Sequence, residues 1–318
     1  MNRSSNCLHQ PLVSVVVPIY NGETDLPELI SCLRSQTYPK VEYLLVDNNS
    51  SDGTQSILQT ASQEFSPGTY RNLTEKKIQS SYAARNRGIQ AAMGEIIALT
   101  DVDCRPQSDW LEQLIQPFLN PNIGIVAGEI LAQPGDSLLE KYARANNTLS
   151  QKFCLEHPFC PYGQTANLAI RKEAFLQVGL FRPYLDTGGD ADICWRILQQ
   201  TETEIEFAPL AIVLHRHRSD LKELKSQWRR YGRSNRYLHQ LHGVNLMREL
   251  SNREIAYRLS RWFLKELPLF SLKATIGKGD FIDLIKTPID LICFGARTKG
   301  QKETHLTLEA RQIEYLGR

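Results

Sequence analysis

At 318 residues with 42% hydrophobic content, the chain is long enough for one large domain with an appendage or for two modest domains. No stretch approaches the ~18–20 consecutive apolar residues of a spanning helix, and the N-terminus lacks the apolar core of a signal peptide. The seven cysteines form no CxxC pair, which argues against zinc and disulfides and favours a reducing compartment. We therefore expect a cytoplasmic protein, either free or peripheral on the inner face of the cytoplasmic membrane.

The net charge of +2 hides an asymmetry along the chain. From His215 to the C-terminus there are 21 Lys+Arg and 11 Asp+Glu, which leaves 16 and 24 for the first 214 residues. The acidic N-terminal part, residues 1–214, suits a bound cation. A basic rear suits an anionic partner such as phosphate, nucleic acid or an anionic membrane.

Strands and helices alternate through the first part of the chain. The predicted elements, in order, are a strand over 13–21, a helix over 23–36, a strand over 41–47, helices over 52–65 and 81–94, a strand over 95–103, a helix over 108–118 and a strand over 123–131. This alternation predicts an α/β fold with a doubly wound, mainly parallel sheet. Ligands of such sheets bind beyond the carboxyl ends of the strands. Asn21, Asp47, Asp101 and Asp103 all fall at those ends.

The pattern changes near Glu140. The later predicted elements are a strand and a short helix within 162–181, a helix over 188–200, a strand over 211–217, a long basic helix over 219–241 and, after Arg253, amphipathic segments broken by Pro268, Gly277, Gly279 and Pro288.

Two aspartates separated by one valine, Asp101 and Asp103, end the strand over 95–103. On a regular strand they would point to opposite faces, but where the chain turns both can approach one ligand. Oxygen ligands suit Mg²⁺ or Mn²⁺, and these ions usually also hold substrate phosphates. The same pattern fits an acidic loop that caps the next helix.

Asp47 directly ends an apolar run, a position from which a carboxylate can bind a ribose or a base edge. The following Asp52-Gly53 pair is more typical of a turn.

Asp190 follows two glycines at a helix start, where a ligand can come close. The helix dipole alone also favours Asp there. Asp192 and Arg196, four residues apart, predict an ordinary helix ion pair. His215 ends an apolar strand; such a His is usually structural, but beside an acidic site it could be a third metal ligand.

Taken in order from about Val13 to His239, these segments resemble the inverting family 2 glycosyltransferases with the GT-A fold. "VSVVVPIYN" is similar to the family's opening strand, "VDNNSSDGT" to its nucleotide-contacting turn and "AARNRGIQAAMGEIIALTDVD" to the run into its D-x-D motif. "GQTANLAIRKEAFLQVGLF" and "GGDADICWRI" resemble its acceptor-side motifs. The resemblance implies a GT-A sheet with flanking helices that transfers a sugar from a nucleotide-diphosphate sugar, a UDP-sugar foremost, to a hydroxyl acceptor.

By the same resemblance, the nucleotide-sugar side consists of Pro18, Tyr20, Asn21, Asp47, Arg85 and Asp101. Tyr20 and Asn21 would flank the base, and Asp47 would bind the uracil or ribose end. Asp101 would touch the ribose or the metal. Arg85 would counter a phosphate or, equally, form a surface salt bridge.

The resemblance also implies a Mg²⁺ or Mn²⁺ site at Asp103, Asp101 and His215, with Asp190 as the catalytic base. The family often has Glu-Asp where this chain has Gly189-Asp190. The base is kept, but a neighbouring carboxylate that helps to hold the acceptor is missing. The acceptor-side residues implied are Gly189, Asp192, Trp195, Gln227 and Arg230.

The segment "QWRRY" over 227–231 resembles the Q-x-x-R-W element of processive polysaccharide synthases, with Tyr in place of Trp. Those synthases carry several membrane spans, and none is predicted here. We therefore expect transfer of a single sugar, in polysaccharide, cell-envelope or lipid-linked glycan synthesis.

The expected domains are an N-terminal tail over 1–12, a GT-A catalytic domain over 13–240 and a basic helical region over 241–318. The catalytic domain should comprise a nucleotide-binding half over about 13–131 and an acceptor-side half over about 132–240. Cations and aromatic residues on the rear helices suit an anionic membrane surface. They also suit a helix packed on the catalytic core with a solvated basic face. Nucleic-acid binding is disfavoured because no nucleic-acid module is recognised.

Two alternatives stay open. A nucleotidyltransferase could share the strand-end aspartates and Mg²⁺, although it would typically need a basic Gly-rich loop where this chain has the acidic "NGETDLPE". A non-catalytic protein that binds a sugar nucleotide or a carbohydrate is the other. A dehydrogenase is disfavoured because no GxGxxG follows the first strand.

Overall fold

The computed structural model describes residues 10–275 and 281–317. Residues 1–9 of the predicted N-terminal tail, together with Gly277 and Gly279, lie outside the described residues. The chain divides into two compact units. Unit 1 comprises Met1–Ile130, Ser150–His215 and Gln312–Arg318, and unit 2 comprises Leu131–Leu149 and Arg216–Arg311. These bounds differ from the expected domain bounds, and the expected division into a catalytic and a C-terminal domain stays a prediction.

An eight-stranded sheet with the order β3-β2-β1-β4-β7-β6-β8-β5 forms the centre of the fold. Its strands are β1 (Val13–Ile19), β2 (Val41–Asp47), β3 (Tyr70–Thr74), β4 (Ile96–Thr100), β5 (Cys104–Pro106), β6 (Ile123–Ala132), β7 (Asn167–Arg171) and β8 (Glu204–His215). Strand β1 pairs in parallel with β2 and β4, and β2 pairs in parallel with β3. Strand β7 runs antiparallel to β4 and β6, and β5 runs antiparallel to β8.

The parallel part of the sheet explains the apolar runs in the sequence. Every residue of β1 and β4 is buried, as is typical of strands that are covered on both faces. Strand β3 lies where no element was predicted, because its sequence is largely polar and half exposed. The alternation of elements also did not specify the antiparallel direction of β7.

The helices of unit 1 are α1 (Leu26–Arg34), α2 (Thr54–Ala61), α3 (Ser81–Ala91), α4 (Trp110–Ile115) with a 3-10 turn (Gln116–Leu119), α6 (Gln151–Leu155), α7 (Lys172–Val178) and α8 (Gly189–Gln200). Helix α1 buries its apolar stripe, from Leu26 to Leu33, as its spacing predicts. Helix α3 begins after Ser80, whose side chain accepts a hydrogen bond from the Tyr82 N–H. Helix α8 follows Gly188, which takes a left-handed conformation (φ 80°) that favours glycine.

Unit 2 is helical. It contains α5 (Leu138–Ala145), α9 (Leu221–His242), α10 (Asn252–Arg261), a π-helical turn (Trp262–Glu266), α11 (Leu267–Thr275), α12 (Phe281–Glu303) and a 3-10 turn (Glu309–Arg311). Helices α9 and α12 cross closely: a Cβ added at Gly232 or Gly300 would collide with backbone atoms of the other helix. A small core of Tyr142, Leu224, Ile289 and Cys293 lies between α5, α9 and α12.

The expected breaks at Pro268 and Pro288 are wrong. Pro268 lies in the first turn of α11, directly after the π-helical turn, and Pro288 lies inside α12. A proline inside a helix costs about 3 kcal/mol or more. The adjacent Ile289 packs in the core of unit 2, and this burial offsets the cost. In the described parts of the chain, no helix is both long and apolar enough to cross a membrane.

Candidate active site

Two turns at the carboxyl ends of β1 and β2 are hydrogen-bonded to each other. Asn21 has a left-handed backbone (φ 49°), and its N–H donates to Ser50 Oγ at 2.9 Å. Its Oδ1 accepts from the Ser51 N–H at 2.9 Å. The Glu23 N–H donates to Asp52 Oδ2 at 3.1 Å. Asp52 therefore stabilises a turn, as its sequence context predicts, and the two turns together form a fixed edge.

The residues expected around the base lie along this edge. Pro18 is buried in β1 opposite Val46, whereas Tyr20 is exposed. Asp47 is buried at the end of β2, and its Oδ1 accepts from the Ser50 N–H at 3.1 Å. The carboxylate of Asp47 thus has a defined orientation. The nucleotide roles of these side chains stay predictions.

Arg85 lies buried on α3 rather than at the surface. Its Nη2 donates to Asp101 Oδ1 at 2.5 Å, and its guanidinium lies 5.5 Å from the centroid of the Tyr82 ring. Burial by itself would lower the pKa of the Arg85 guanidinium, but the charges of Asp101 and Asp190 raise it above its ordinary value. Within the described residues, Arg85 Nε has no hydrogen-bond partner. Arg85 is therefore a permanent, buried cation beside two carboxylates.

The pairing of β5 with β8 brings Asp103 to His215. Cys104 lies opposite His215 in this antiparallel register, and His215 Nε2 is 3.5 Å from Asp103 Oδ1. One ligand atom from each of Asp103, Cys104 and His215 lies within 4.8 Å of the others.

The chemistry of these three residues fits a hard divalent cation. Burial raises the pKa of the Cys104 thiol well above its ordinary value, and Asp103 and Asp101 add to the rise. A thiol is in any case a soft donor, which a hard cation binds less well than it binds carboxylate oxygen. The remaining donors are the carboxylate of Asp103 and the imidazole of His215, with Asp101 two residues away. This set suits Mn²⁺ or Mg²⁺.

Asp190 lies in the first turn of α8, and Thr165, in the loop just before β7, holds its carboxylate by two hydrogen bonds. The Thr165 N–H donates to Asp190 Oδ2 at 3.2 Å, and Thr165 Oγ1 donates to Oδ1 at 3.1 Å. Burial raises the pKa of Asp190, Arg85 and Thr165 oppose the rise, and Asp101 adds to it; the net result is a raised pKa. A carboxylate with a raised pKa is a stronger base than an ordinary Asp.

The structure explains why position 189 is occupied by glycine. The Gly189 N–H donates to the Tyr82 hydroxyl at 2.9 Å, and a Cβ at position 189 would lie only 2.7 Å from the Tyr82 ring. The same ring stacks on Phe181, with centroids 5.6 Å apart. Tyr82 thus fills the space that any side chain at position 189 would need.

Asp192 is fully buried between two arginines. Its Oδ1 accepts from Arg182 Nε and its Oδ2 from Arg196 Nε, both at 3.0 Å. Arg196 also donates to the backbone carbonyls of Val178 and Leu180 at 2.7 Å. The predicted pair with Arg196 is confirmed, and it ties α8 to the end of α7. The acceptor role of Asp192 stays a prediction.

The other residues of the expected acceptor side fall in different units. Trp195 is buried on α8 in unit 1, and its Nε1 donates to the Cys160 carbonyl at 2.8 Å. Gln227 is buried and Arg230 is exposed on α9, in unit 2. Their acceptor roles stay predictions.

Sequence reasoning missed Tyr82 and Thr165. Tyr82 lies three residues before Arg85, so both fall on one face of α3. The three-residue spacing could therefore have predicted that Tyr82 and Arg85 lie side by side. Thr165 lies in the "GQTAN" segment that the resemblance covers, but nothing local links it to Asp190.

Residues 14–179 match the sequence profile of the family described as Glycosyl transferase family 2. Among individual proteins, the chain is 34% identical over 184 residues to Glycosyltransferase AglE of Haloferax volcanii, covering 57% of this chain and 59% of that protein. It is 27% identical over 227 residues to the pre-mycofactocin glycosyltransferase of Mycobacterium tuberculosis, covering 70% of this chain and 46% of that protein. The chain thus spans between about half and three fifths of the lengths of these relatives.

Solved structures show the same fold at low identity. The mannosyltransferase PcManGT from Pyrobaculum calidifontis, in complex with GDP-Man and Mn²⁺, has a TM-score of 0.64 and 18% identity, covering 94% of this chain and 89% of that one. The glucosyl-3-phosphoglycerate synthase of Mycobacterium tuberculosis, in complex with Mn²⁺, UDP-glucose and phosphoglyceric acid, has a TM-score of 0.53 and 20% identity, covering 74% and 81%. The predicted GT-A architecture is confirmed.

Proposed function

Since the chain belongs to glycosyl transferase family 2, we propose that it moves one sugar from a nucleotide-diphosphate sugar to an acceptor hydroxyl, with inversion and with a divalent metal ion. The observation that carries this proposal is the cluster of Asp190, Arg85 and Asp101 at the carboxyl ends of the strands. A raised-pKa carboxylate, a buried cation and the D-x-D turn meet there. Each of these groups would contribute to a single displacement at the anomeric carbon of the sugar.

Residues at the ends of the strands would bind the nucleotide-sugar donor. Asp47, oriented by Ser50, would accept hydrogen bonds from the uracil or ribose of a UDP-sugar, and the exposed Tyr20 would cover the base. Arg85 would place its buried positive charge near the diphosphate. The neighbouring structures that hold UDP-glucose or GDP-mannose support a nucleotide-sugar donor of this class.

Asp103, His215 and Asp101 would hold the metal ion. A bound Mn²⁺ or Mg²⁺ neutralises the charge that develops on a diphosphate leaving group. Asp101 would remain in place because Arg85 fixes its Oδ1.

Asp190 would act as the base. Its carboxylate takes the proton of the acceptor hydroxyl while the hydroxyl oxygen forms a bond to the anomeric carbon. The bond from that carbon to the diphosphate oxygen breaks, and the diphosphate leaves with the electron pair. One base suffices for one inverting displacement. Thr165, bonded to both carboxylate oxygens, would aim the base.

A direct test begins with a thermal-shift panel of nucleotide sugars with Mn²⁺, because a ligand that prefers the folded state raises the melting temperature. The best donor is then used, radiolabelled, with a panel of glycan acceptors. Transfer of label is expected. Binding of a nucleotide sugar without any transfer or hydrolysis would favour the non-catalytic alternative. The nucleotidyltransferase alternative predicts release of diphosphate from nucleoside triphosphates instead.

Peripheral attachment to an anionic membrane is a second proposal, supported by unit 2. Between Asn252 and Lys273 the structure describes no buried side chain. Several large apolar side chains of this segment are exposed: Tyr257, Leu259, Phe263, Leu264, Leu269 and Leu272. Cations lie among them, including Arg253, Arg261, Lys265 and Lys273. Exposed apolar side chains mixed with cations suit the interface of an anionic bilayer.

A further inference from the structure

The two aspartates of the D-x-D motif lie in one tight turn between β4 and β5. The Cys104 N–H donates to the Asp101 carbonyl at 3.1 Å, which closes a four-residue turn with Val102 and Asp103 at its centre. We name residues 101–104 the D-x-D turn. On a regular strand the two carboxylates would point to opposite faces of the sheet. The peptide groups of this turn therefore set the direction of each carboxylate.

Arg105, the residue that follows the D-x-D turn, holds the middle of it. Its Nη1 donates to the Val102 carbonyl at 3.1 Å and to the Cys104 carbonyl at 2.9 Å. Because Val102 lies between the two aspartates, the first of these bonds fixes the peptide group that joins Val102 to Asp103. Arg105 is only 9% exposed, so water competes little for these bonds.

The same guanidinium is anchored on the start of α1. Arg105 Nη2 donates to Asp25 Oδ1 at 2.8 Å, and Nε donates to Glu28 Oε2 at 2.7 Å. Asp25 is the buried N-cap residue of α1, whereas the Glu28 side chain is 66% exposed. A planar guanidinium can make both sets of contacts because its donors point in several fixed directions. A lysine, with one nitrogen, cannot reproduce this arrangement.

The start of α1 belongs to the edge that the turns after β1 and β2 form. The Asp25 N–H donates to the Gly22 carbonyl at 3.0 Å, and the Gly22 N–H donates to Thr54 Oγ1 at 2.8 Å. A Cβ added at Gly22 would lie 3.0 Å from Val102 Cγ2, so the side chain of Val102 lies against this edge. Arg105 therefore joins the D-x-D turn to the edge expected to bind the nucleotide.

We propose that Arg105 is a positioning residue for the metal site: it aims Asp101 and Asp103 at the divalent ion and couples that ion to the nucleotide edge, without touching metal or substrate itself. Loss of a group that orients metal ligands typically lowers metal affinity about 10–100-fold. Arg105 should therefore strengthen the binding of a nucleoside diphosphate only when the metal is present. This inference rests on the metal-dependent transfer proposed above.

The test compares the calorimetric affinity of the full chain for UDP in Mn²⁺ with its affinity in EDTA. The ratio of the two affinities measures the coupling between metal and diphosphate. Arg105→Lys keeps a positive charge beside Asp25 but loses the bonds to the turn. It should lower UDP affinity in Mn²⁺ about tenfold and leave the affinity in EDTA unchanged. A purely structural role would lower both affinities by the same factor.

Two further variants sharpen the comparison. Arg34→Lys is the matched control, because Arg34 ends α1 and pairs with Glu64 at 2.6 Å instead of with the D-x-D turn; its UDP affinity in Mn²⁺ should equal that of the wild type. Glu28→Gln keeps the test decisive if Arg105→Lys does not fold, because Glu28 is largely exposed. It should lower UDP affinity about two- to fivefold in Mn²⁺, the scale of an exposed ion pair, and not in EDTA.

Equal UDP affinity of Arg105→Lys and the wild type in Mn²⁺ would overturn the inference. A parallel loss in EDTA, or a loss of the same size in Arg34→Lys, would also overturn it. If Arg105→Lys does not fold, unchanged affinity in Glu28→Gln has the same consequence. A wild type that binds UDP no better in Mn²⁺ than in EDTA would contradict both this inference and the metal-dependent function. A loss at Arg105 that needs Mn²⁺, in a protein that transfers no sugar, would support the inference and contradict the proposed function.

Discussion

In unit 1 Asp192 is fully buried between Arg182 and Arg196. In unit 2 the pair of Arg229 and Glu303 lies on exposed helix faces. Both pairs have the same chemistry, but their surroundings differ. A buried pair that loses one partner leaves an uncompensated charge away from water, whereas exposed pairs contribute about 0–1 kcal/mol. The buried Asp192 cluster of unit 1 therefore fixes positions by charge, whereas the Arg229–Glu303 pair of unit 2 is screened by solvent.

This contrast applies to the candidate site as well. Arg85 and Asp101 form a pair inside unit 1 that is partly desolvated, and the charge of Asp190 helps to raise the pKa of Arg85. In unit 2 the described cations lie beside exposed apolar side chains instead. We expect substitutions in unit 1 to change chemistry or folding, and substitutions in unit 2 to change binding to surfaces.

The largest expected effect is on chemistry at Asp190. Asp190→Asn should lower turnover about 10²–10⁴-fold, the usual contribution of a general base, while calorimetric donor affinity stays close to that of the wild type. Asn should also preserve the helix start. Because the base acts only when ionised, wild-type activity should fall as pH falls through the raised pKa of Asp190, above the ordinary Asp value of about 3.9. Near wild-type turnover in Asp190→Asn, with donor and acceptor saturating, would show that another group is the base.

Asp103→Asn should separate donor binding from base chemistry. It should weaken Mn²⁺-dependent binding of a nucleoside diphosphate by at least about 10–100-fold, the loss that follows removal of even an outer partner of a metal ligand. Turnover should fall with it. Calorimetry in EDTA should show the same loss in the wild type. Unchanged diphosphate affinity in EDTA would rule out a metal at this site.

The two ion pairs give a matched comparison of stability. Asp192→Asn should lower the free energy of unfolding of unit 1 by about 3–5 kcal/mol, because the buried Arg196 and the partly buried Arg182 lose their charge partner. Glu303→Gln, at the exposed pair of unit 2, should change the free energy of unfolding by less than about 1 kcal/mol. Urea unfolding followed by tryptophan fluorescence measures both. Equal losses of unfolding free energy in the two variants would show that the buried and the exposed ion pair stabilise the protein to the same extent.

Tyr82→Phe should have a smaller effect that is specific to the site. It leaves the Gly189 N–H without its hydroxyl partner, a loss of about 1 kcal/mol, and it loosens the start of α8 that carries Asp190. We expect turnover to fall up to about tenfold with unchanged donor affinity. Gly189→Ala should perturb the same turn through collision with the Tyr82 ring. A fall in donor affinity equal to the fall in turnover would place Tyr82 on the donor side instead.

The smallest effect per residue is expected at the surface of unit 2. Flotation with anionic liposomes should recover the protein at low salt and lose part of it at high salt, since each nearby cation contributes about 1 kcal/mol that salt screens. Replacing Phe263 and Leu264 by Ser should reduce recovery at both salt concentrations. Equal recovery with neutral liposomes would argue against an electrostatic surface.

The sequence by itself indicated several strands and helices, although not β3, and the polar residues at the strand ends. Runs of β-branched residues predicted β1, β2 and β4, and the spacing of Leu26 to Leu33 predicted the buried face of α1. Local rules suffice here, because the apolar spacing that predicts a buried strand or helix face lies in residues close together in the chain. They also suffice to place Asp47, Asp101 and Asp103 at strand ends. They failed at Pro288, where packing in the core of unit 2 outweighs the cost of a helical proline.

Only the tertiary structure decided which of these side chains meet. His215 reaches Asp103 because β5 pairs with β8 in one register, and a shift of one residue would turn either side chain to the other face of the sheet. Thr165 reaches Asp190 across 25 residues, and the Tyr82 hydroxyl reaches the Gly189 N–H across 107. Strand register and helix packing are fixed by the whole core, which no local pattern encodes. For this reason the sequence could single out Asp190 as a candidate base but not the residues that contact it.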